Sequence, residues 1–111
     1  AQLGFAGIID AAETARLQGV DLYGEQSERL RAMLEFHARL LNGAPVPSDL
    51  CGGKLTSVKA APMWEIALNH FVTRQGQALP ETQKLVSTIR PTETNHHMAW
   101  ETLTHAGVGA P

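Results

Sequence analysis

The sequence predicts an all-α fold, and three observations carry that prediction. Apolar residues recur at helical spacing, most plainly at Leu30, Met33, Leu34, Leu40 and Leu41. Glycines and prolines fall where helices stop and start: Gly19, Gly43 and Gly76 follow the periodic stretches, while Pro62 and Pro80 head new ones. No alternating β-branched run bounded by turn residues signals a strand. The 111 residues suit one domain of ordinary size.

The first predicted helix runs from Gln2 to Gln18. Its opening half (Leu3, Phe5, Ala6, Ile8, Ile9) is apolar on every side, and Asp10, Glu13, Thr14 and Arg16 then make it polar. A helix apolar all round needs partners all round, so neighbours beyond a few short helices are expected. Gly19 stops it, because glycine tolerates the left-handed conformation of the position after a helix. The second helix carries the Leu30–Leu41 stripe, with Ser27 as its N-cap, Glu25 and Glu28 complementing the dipole of its first turn, and Asn42-Gly43 as its stop.

From Ala44 to Ala61 the chain is irregular and holds Pro45, Pro47, Gly52 and Gly53. This stretch is longer than the usual loop of a compact domain, which marks it as functional or as an arm. Pro62 suits the first turn of a third helix, whose apolar face is Trp64, Ala67, Leu68 and Phe71 and whose end is Gly76. Pro80 opens a fourth helix to about Thr88, and Pro91 prevents its continuation. One more short turn is expected from Met98 to Leu103. Residues 1–111 are thus read as a single helical segment with 44–61 as its long loop.

Composition excludes several classes of function. Nine Lys and Arg against eleven Asp and Glu give a net charge of −2, and the pI is near 6.2; a dedicated nucleic-acid binder carries a basic face and a pI above about 9. With 43% hydrophobic and 18% charged residues the chain is not a solvated, disordered one. No apolar run reaches the ~18 residues that cross a bilayer, so no membrane partner is expected. Cys51 is the single cysteine and cannot form an internal disulfide. The sequence opens on Ala1 with no charged-then-apolar leader before it, as a processed or excised piece would.

Five histidines invite a metal hypothesis, but the spacing opposes it. His96 and His97 are adjacent, which on a helix turns them about 100° apart, and no H-x-x-x-H, C-x-x-C or H-E-x-x-H pattern is present. No metal and no cofactor is expected. His96 and His97 stay open as donors to the carboxylate of an acidic sugar. His37, inside the leucine stripe, reads as a hydrogen-bonded core residue, and His70 faces either a core or a cleft. His105 has no context that lifts it. Cys51 lacks a neighbouring base that would make it a nucleophile. Glu93 and Glu101 in the polar tail do not amount to a glycosidase pair. Trp64 reads as core, and Trp100 as core or as a sugar-stacking face.

A resemblance carries the functional expectation further. Gln2-Leu3-Gly4, Glu13 and Gln18-Gly19-Val20-Asp21-Leu22-Tyr23 resemble a segment of the alginate-lyase-like polysaccharide lyases. It continues through Arg29-Leu30, Trp64-Glu65, Asn69-His70-Phe71-Val72-Thr73-Arg74-Gln75-Gly76, Arg90-Pro91 and Thr102-Leu103, spanning nearly the whole chain. It implies antiparallel helical hairpins forming part of an incomplete (α/α) toroid around a sugar-binding groove. In that family the Gln-Leu-Gly run follows a segment linked to catalysis, so the groups that neutralise the uronate carboxylate and move the protons lie upstream of Gln2. Complete toroids are on the order of two to three times this length.

The expectation is therefore the C-terminal portion of a lyase that cleaves a uronate-containing polysaccharide by β-elimination, periplasmic or secreted, with the isolated 111-residue chain inactive. No catalytic residue transfers. Gln2, His96 and His97 are the candidate substrate contacts. The expected partners are an acidic polysaccharide and the N-terminal part of the same enzyme or a partner subunit. The alternative is a non-catalytic helical binding or assembly module, with an exposed apolar surface on the first helix turned to a partner.

Overall fold

In a computed structural model that describes residues 2–54, 59–92 and 101–107, every regular element is helical. Helix α1 spans Gln2–Leu17, α2 Leu22–Glu25, α3 Ser27–Leu41, α4 Met63–Leu68, α5 Pro80–Ile89 and α6 Glu101–His105. A 3-10 turn covers Cys51–Gly53, and α4 widens into a π-helical turn over Asn69–Arg74. None of these helices is long and apolar enough to cross a membrane.

Helix α4 is the axis of the packing. It touches α1, α5 and α6, while α3 lies along α5 and α2 bridges α1 to α3. Every residue from Met63 to Phe71 is buried, so α4 has no solvent face. That explains why the expected apolar stripe of Trp64, Ala67, Leu68 and Phe71 is only part of its surface: Met63 and Ile66 fill the opposite side. Ile9, Leu34, Tyr23, Leu79 and Val86 complete the core around it.

The predicted helices are present, with differences that have local causes. Asp21 accepts a hydrogen bond from the Gly24 amide at 2.9 Å and nucleates α2, a turn the sequence reading did not contain. Glu25 belongs to that turn and not to the second long helix. Ser27 is the first residue of α3, not its cap; Gln26 holds the cap position without a side-chain bond. Asn42 and Gly43, with φ of 104° at the glycine, end α3 as expected. Pro62 precedes α4 in helical conformation.

The 44–61 stretch is not wholly irregular, since the Cys51–Gly53 turn interrupts it; positions 55–58 lie outside the described residues. Of the predicted Met98–Leu103 turn, 98–100 lie outside them too, and Glu101–His105 is helical.

The first helix is only half used. Ala6, Ile9, Ala12 and Glu13 are buried, whereas Leu3 (72% exposed) and Ile8 (47%) face outward, as do Val20 and Leu22 just beyond it. At the far side, the Glu35 carboxylate of α3 accepts from the Glu81 and Thr82 amides, both at 2.9 Å. It satisfies two of the unpaired N–H groups at the start of α5 and opposes the positive end of the helix dipole there.

Candidate functional site

Two buried polar clusters flank α4. The first begins on α1, where Glu13 and Arg16 share a face one turn apart and pair, Nε to Oε1 at 2.9 Å. Folding brings the Tyr23 hydroxyl of α2 to the other carboxylate oxygen, donating at 3.0 Å. His105 of α6 lies with Nε2 3.8 Å from Glu13. The His70 ring from the π-helical turn stacks on Tyr23, centroids 3.6 Å apart and planes 12° from parallel. Phe71 meets Tyr23 edge-on at 5.5 Å.

The electrostatics fix the protonation of this cluster. Burial by itself would raise Glu13, but hydrogen bonds from His105, Arg16 and Tyr23 outweigh it and hold the carboxyl down at about 2. Burial, reinforced by the Glu13 charge, pushes the Tyr23 hydroxyl well above its ordinary value near 10. Burial draws His70 below its ordinary 6.5. At neutral pH Tyr23 is thus a donor and not a base, and His70 is a neutral imidazole. His70 is 5% exposed, and its buried Nδ1 has no partner among the described residues.

Beside this ring lies a small pocket of about 70 Å³, lined by Asp21, Tyr23, Ser27, His70, Gln75 and Gln77. A wider hollow of about 520 Å³ between α3 and the segment before α5 has Glu28, Arg29, Arg31 and Glu35 on its wall. Two acidic and two basic groups balance on it, so it presents no net charge to a polyanion.

The second cluster is centred on Glu65. Arg90 donates from Nε to Oε2 at 2.8 Å and from its terminal nitrogen to Oε1, and Thr102 adds a bond to Oε2 at 3.2 Å. Glu65 is fully buried, and this bidentate pairing accounts for it. The Thr92 amide donates to the Thr102 hydroxyl at 3.0 Å, and the Thr92 hydroxyl donates to Glu101 at 3.3 Å. Glu101, expected in a polar tail, is instead 1% exposed. Asn69 fixes α6 to the π-helical turn, donating to the His105 carbonyl at 2.7 Å and accepting from Arg74 at 3.0 Å.

Of the candidate substrate contacts, Gln2 is described, and its amide works as a clamp. Its carbonyl oxygen accepts from the Ala61 amide at 2.7 Å and from Trp64 Nε1 at 2.8 Å, while its nitrogen donates to the Lys59 carbonyl at 2.8 Å. One amide N–H is left for any further partner. His96 and His97 lie outside the described residues, as do Glu93 and Trp100.

His37 donates from Nδ1 to the Met33 carbonyl at 2.9 Å and sits half-buried between Phe5 and Phe36. His105, which had no context in the sequence, belongs to the Glu13 cluster. Among the described residues no three His, Cys, Asp or Glu side chains are placed to share a metal ion.

The Glu13–Arg16 pairing was open to a sequence reading through its i, i+3 spacing. The arrival of Tyr23, His70 and His105 was not, because three separate elements deliver them. Compared with protein-family models, with curated proteins and with solved structures, the chain matches none of them.

Proposed function

We propose that this chain is the C-terminal helical part of a polysaccharide lyase whose helices form antiparallel hairpins of an incomplete (α/α) toroid. The enzyme would act on a uronate-containing, alginate-like polymer in the periplasm or outside the cell. One observation carries this reading: the residues that bear the resemblance hydrogen-bond to one another across the fold. Gln2 meets Trp64, Glu13 meets Tyr23, and Glu65 meets Arg90 and Thr102.

The reaction in this reading is β-elimination. A base removes the proton at C5, the electron pair forms the C4–C5 double bond, and the C4–O bond breaks with a proton delivered to the leaving oxygen. Neutralising the carboxylate acidifies C5–H and stabilises the carbanion-like state, the largest contribution to rate. None of these steps is assigned to the 111 residues. Their part is to form a wall of the groove, with His96 and His97 and the spare N–H of Gln2 as substrate contacts, and no cofactor is involved.

The outward apolar side chains Leu3, Ile8, Leu17 and Val20 support a second reading, a non-catalytic helical module that docks through them to a partner subunit.

Native and denaturing mass spectrometry of one sample separates the two readings. An upstream polypeptide that co-elutes, together with appearance of the unsaturated uronate chromophore from a uronan, is the lyase outcome. His96→Ala with His97→Ala in that assembly then lowers turnover. A chain that self-associates, or a parent protein that releases no unsaturated product from any uronan, overturns the lyase reading.

A further inference from the structure

We propose that the pocket beside His70 is a binding site for the vicinal hydroxyl edge of a neutral sugar or polyol. The inference stands apart from the lyase reading, since it uses only the pocket's own chemistry.

Its size sets the first limit. About 70 Å³ is the space of roughly two water molecules, enough for a pair of hydroxyl groups and too little for a whole pyranose ring. A ligand therefore enters by one edge and leaves the rest in solvent.

The lining sets the second limit. Ser27, Gln75 and Gln77 each offer both donor and acceptor atoms, and Asp21 offers acceptors. A vicinal diol also presents donors and acceptors in alternation, so it matches such a set. The imidazole adds a further polar group to the wall. A buried acceptor without a partner is tolerated better than a buried donor, so with Nδ1 orphaned the ring proton belongs on Nε2. Because Nδ1 has no accessible surface, the ring meets the pocket through its other atoms.

Charge sets the third limit. The ring is neutral at pH 7, and the carboxylate in the wall is Asp21. Arg16 is paired with Glu13, and Arg74 bonds the neutral Asn69 amide outside the pocket lining. A carboxylate or sulfate entering the pocket would meet Asp21 in a wall that holds no lysine or arginine, which disfavours anions.

The site is tested by following the His70 ring nitrogens and the Gln75 and Gln77 side-chain amides by ¹H–¹⁵N NMR while glycerol, methyl glucoside, acetate or sulfate is added to the chain. The expected result is saturable movement of all three residues with glycerol and methyl glucoside and none with the anions. Gln77→Ala removes one hydrogen-bonding group and is expected to weaken the response about fivefold. Gln75→Ala with Gln77→Ala abolishes it, and neither position is fully buried, so the fold survives. Two results overturn the proposal: linear, non-saturating shifts with both diols, which means that water alone fills the pocket, or a response that is stronger for acetate.

Discussion

The two polar clusters flanking α4 are built from the same kinds of residue and end in different states. Around Glu65 both carboxylate oxygens are occupied, by Arg90 on either side and by Thr102, while Glu101 at the edge of that cluster keeps Oε1 buried without a partner among the described residues. Around Tyr23 the Glu13 carboxylate is equally occupied, yet the stacked His70 keeps a buried nitrogen without a partner and borders an open pocket. A buried charge is stabilised as its hydrogen-bonding capacity is filled, and the Glu65 carboxylate meets that condition on both oxygens. What sets the His70 side apart is the polar hollow beside the ring, where a ligand can meet Ser27, Gln75 and Gln77 while Nδ1 stays buried. The clusters therefore divide into a strut and a receptor, and their responses to substitution should differ in size and in kind.

The largest expected effect falls on the strut. Arg90→Ala leaves the buried Glu65 carboxyl with Thr102 as its remaining side-chain donor, and because Arg90 itself is 40% exposed the expected cost is about 3 kcal/mol, the low end for breaking a buried pair. A chemical-denaturation midpoint lowered to match, with no change in the diol response at His70, is the expected result. A loss under about 1 kcal/mol, in the range of exposed pairs, would make Glu65 and Arg90 an ordinary surface contact.

Next in size is the acid response of the other cluster. Glu13 titrates near 2 in the fold against 4.5 when unfolded, so the unfolded chain binds the proton more tightly. Stability from this group is complete above pH 4.5 and drains away as pH falls toward 2. His70 acts earlier, in the same direction: its folded pKa lies below the ordinary 6.5, so protonation favours the unfolded chain as pH drops below that value. Stability measured from pH 8 to pH 2 is expected to decline in two legs. Glu13→Gln removes the lower leg and costs about 2 kcal/mol at neutral pH, the worth of hydrogen bonds to a charged group. An unchanged lower leg in that variant would mean that other carboxylates produce it.

A site remote from both clusters calibrates these losses. Glu35→Ala withdraws the cap on the α5 amides of Glu81 and Thr82 and is expected to cost about 1 kcal/mol. It should leave the upper, histidine-linked leg of the pH profile untouched.

The helices and their stops were legible in the sequence because local chemistry dictates them: the Leu30–Leu41 stripe, Asn42-Gly43 and Pro80 all act within a few residues of themselves. The clusters were not, because each needs partners from distant parts of the chain. Glu65 and Arg90 are 25 positions apart, and Gln2 and Trp64 are 62. Glu101 reads as a solvated tail residue until the fold buries it against Thr92. Gln2 stands out in the sequence because the resemblance places it next to the upstream catalytic segment, and the structure adds what no spacing conveys, that its amide holds the first helix to Ala61 and Trp64.

The smallest expected effect is the sharpest test of the contrast. His70→Phe keeps an aromatic ring to stack on Tyr23 and exchanges two ring nitrogens for carbon. In a saturated network such a change strands partners, as it would at Glu65. At His70 the described residues leave no partner on Nδ1 to strand, and replacing an unsatisfied polar atom by an apolar one is close to neutral or stabilising. The expected change in stability is thus within about 1 kcal/mol of zero, the upper leg of the pH profile disappears, and the diol response disappears with it. A loss as large as that of Arg90→Ala would mean that the imidazole is bonded in solution after all. The Tyr23 cluster would then be a second strut, and the distinction between the two sides of α4 would vanish.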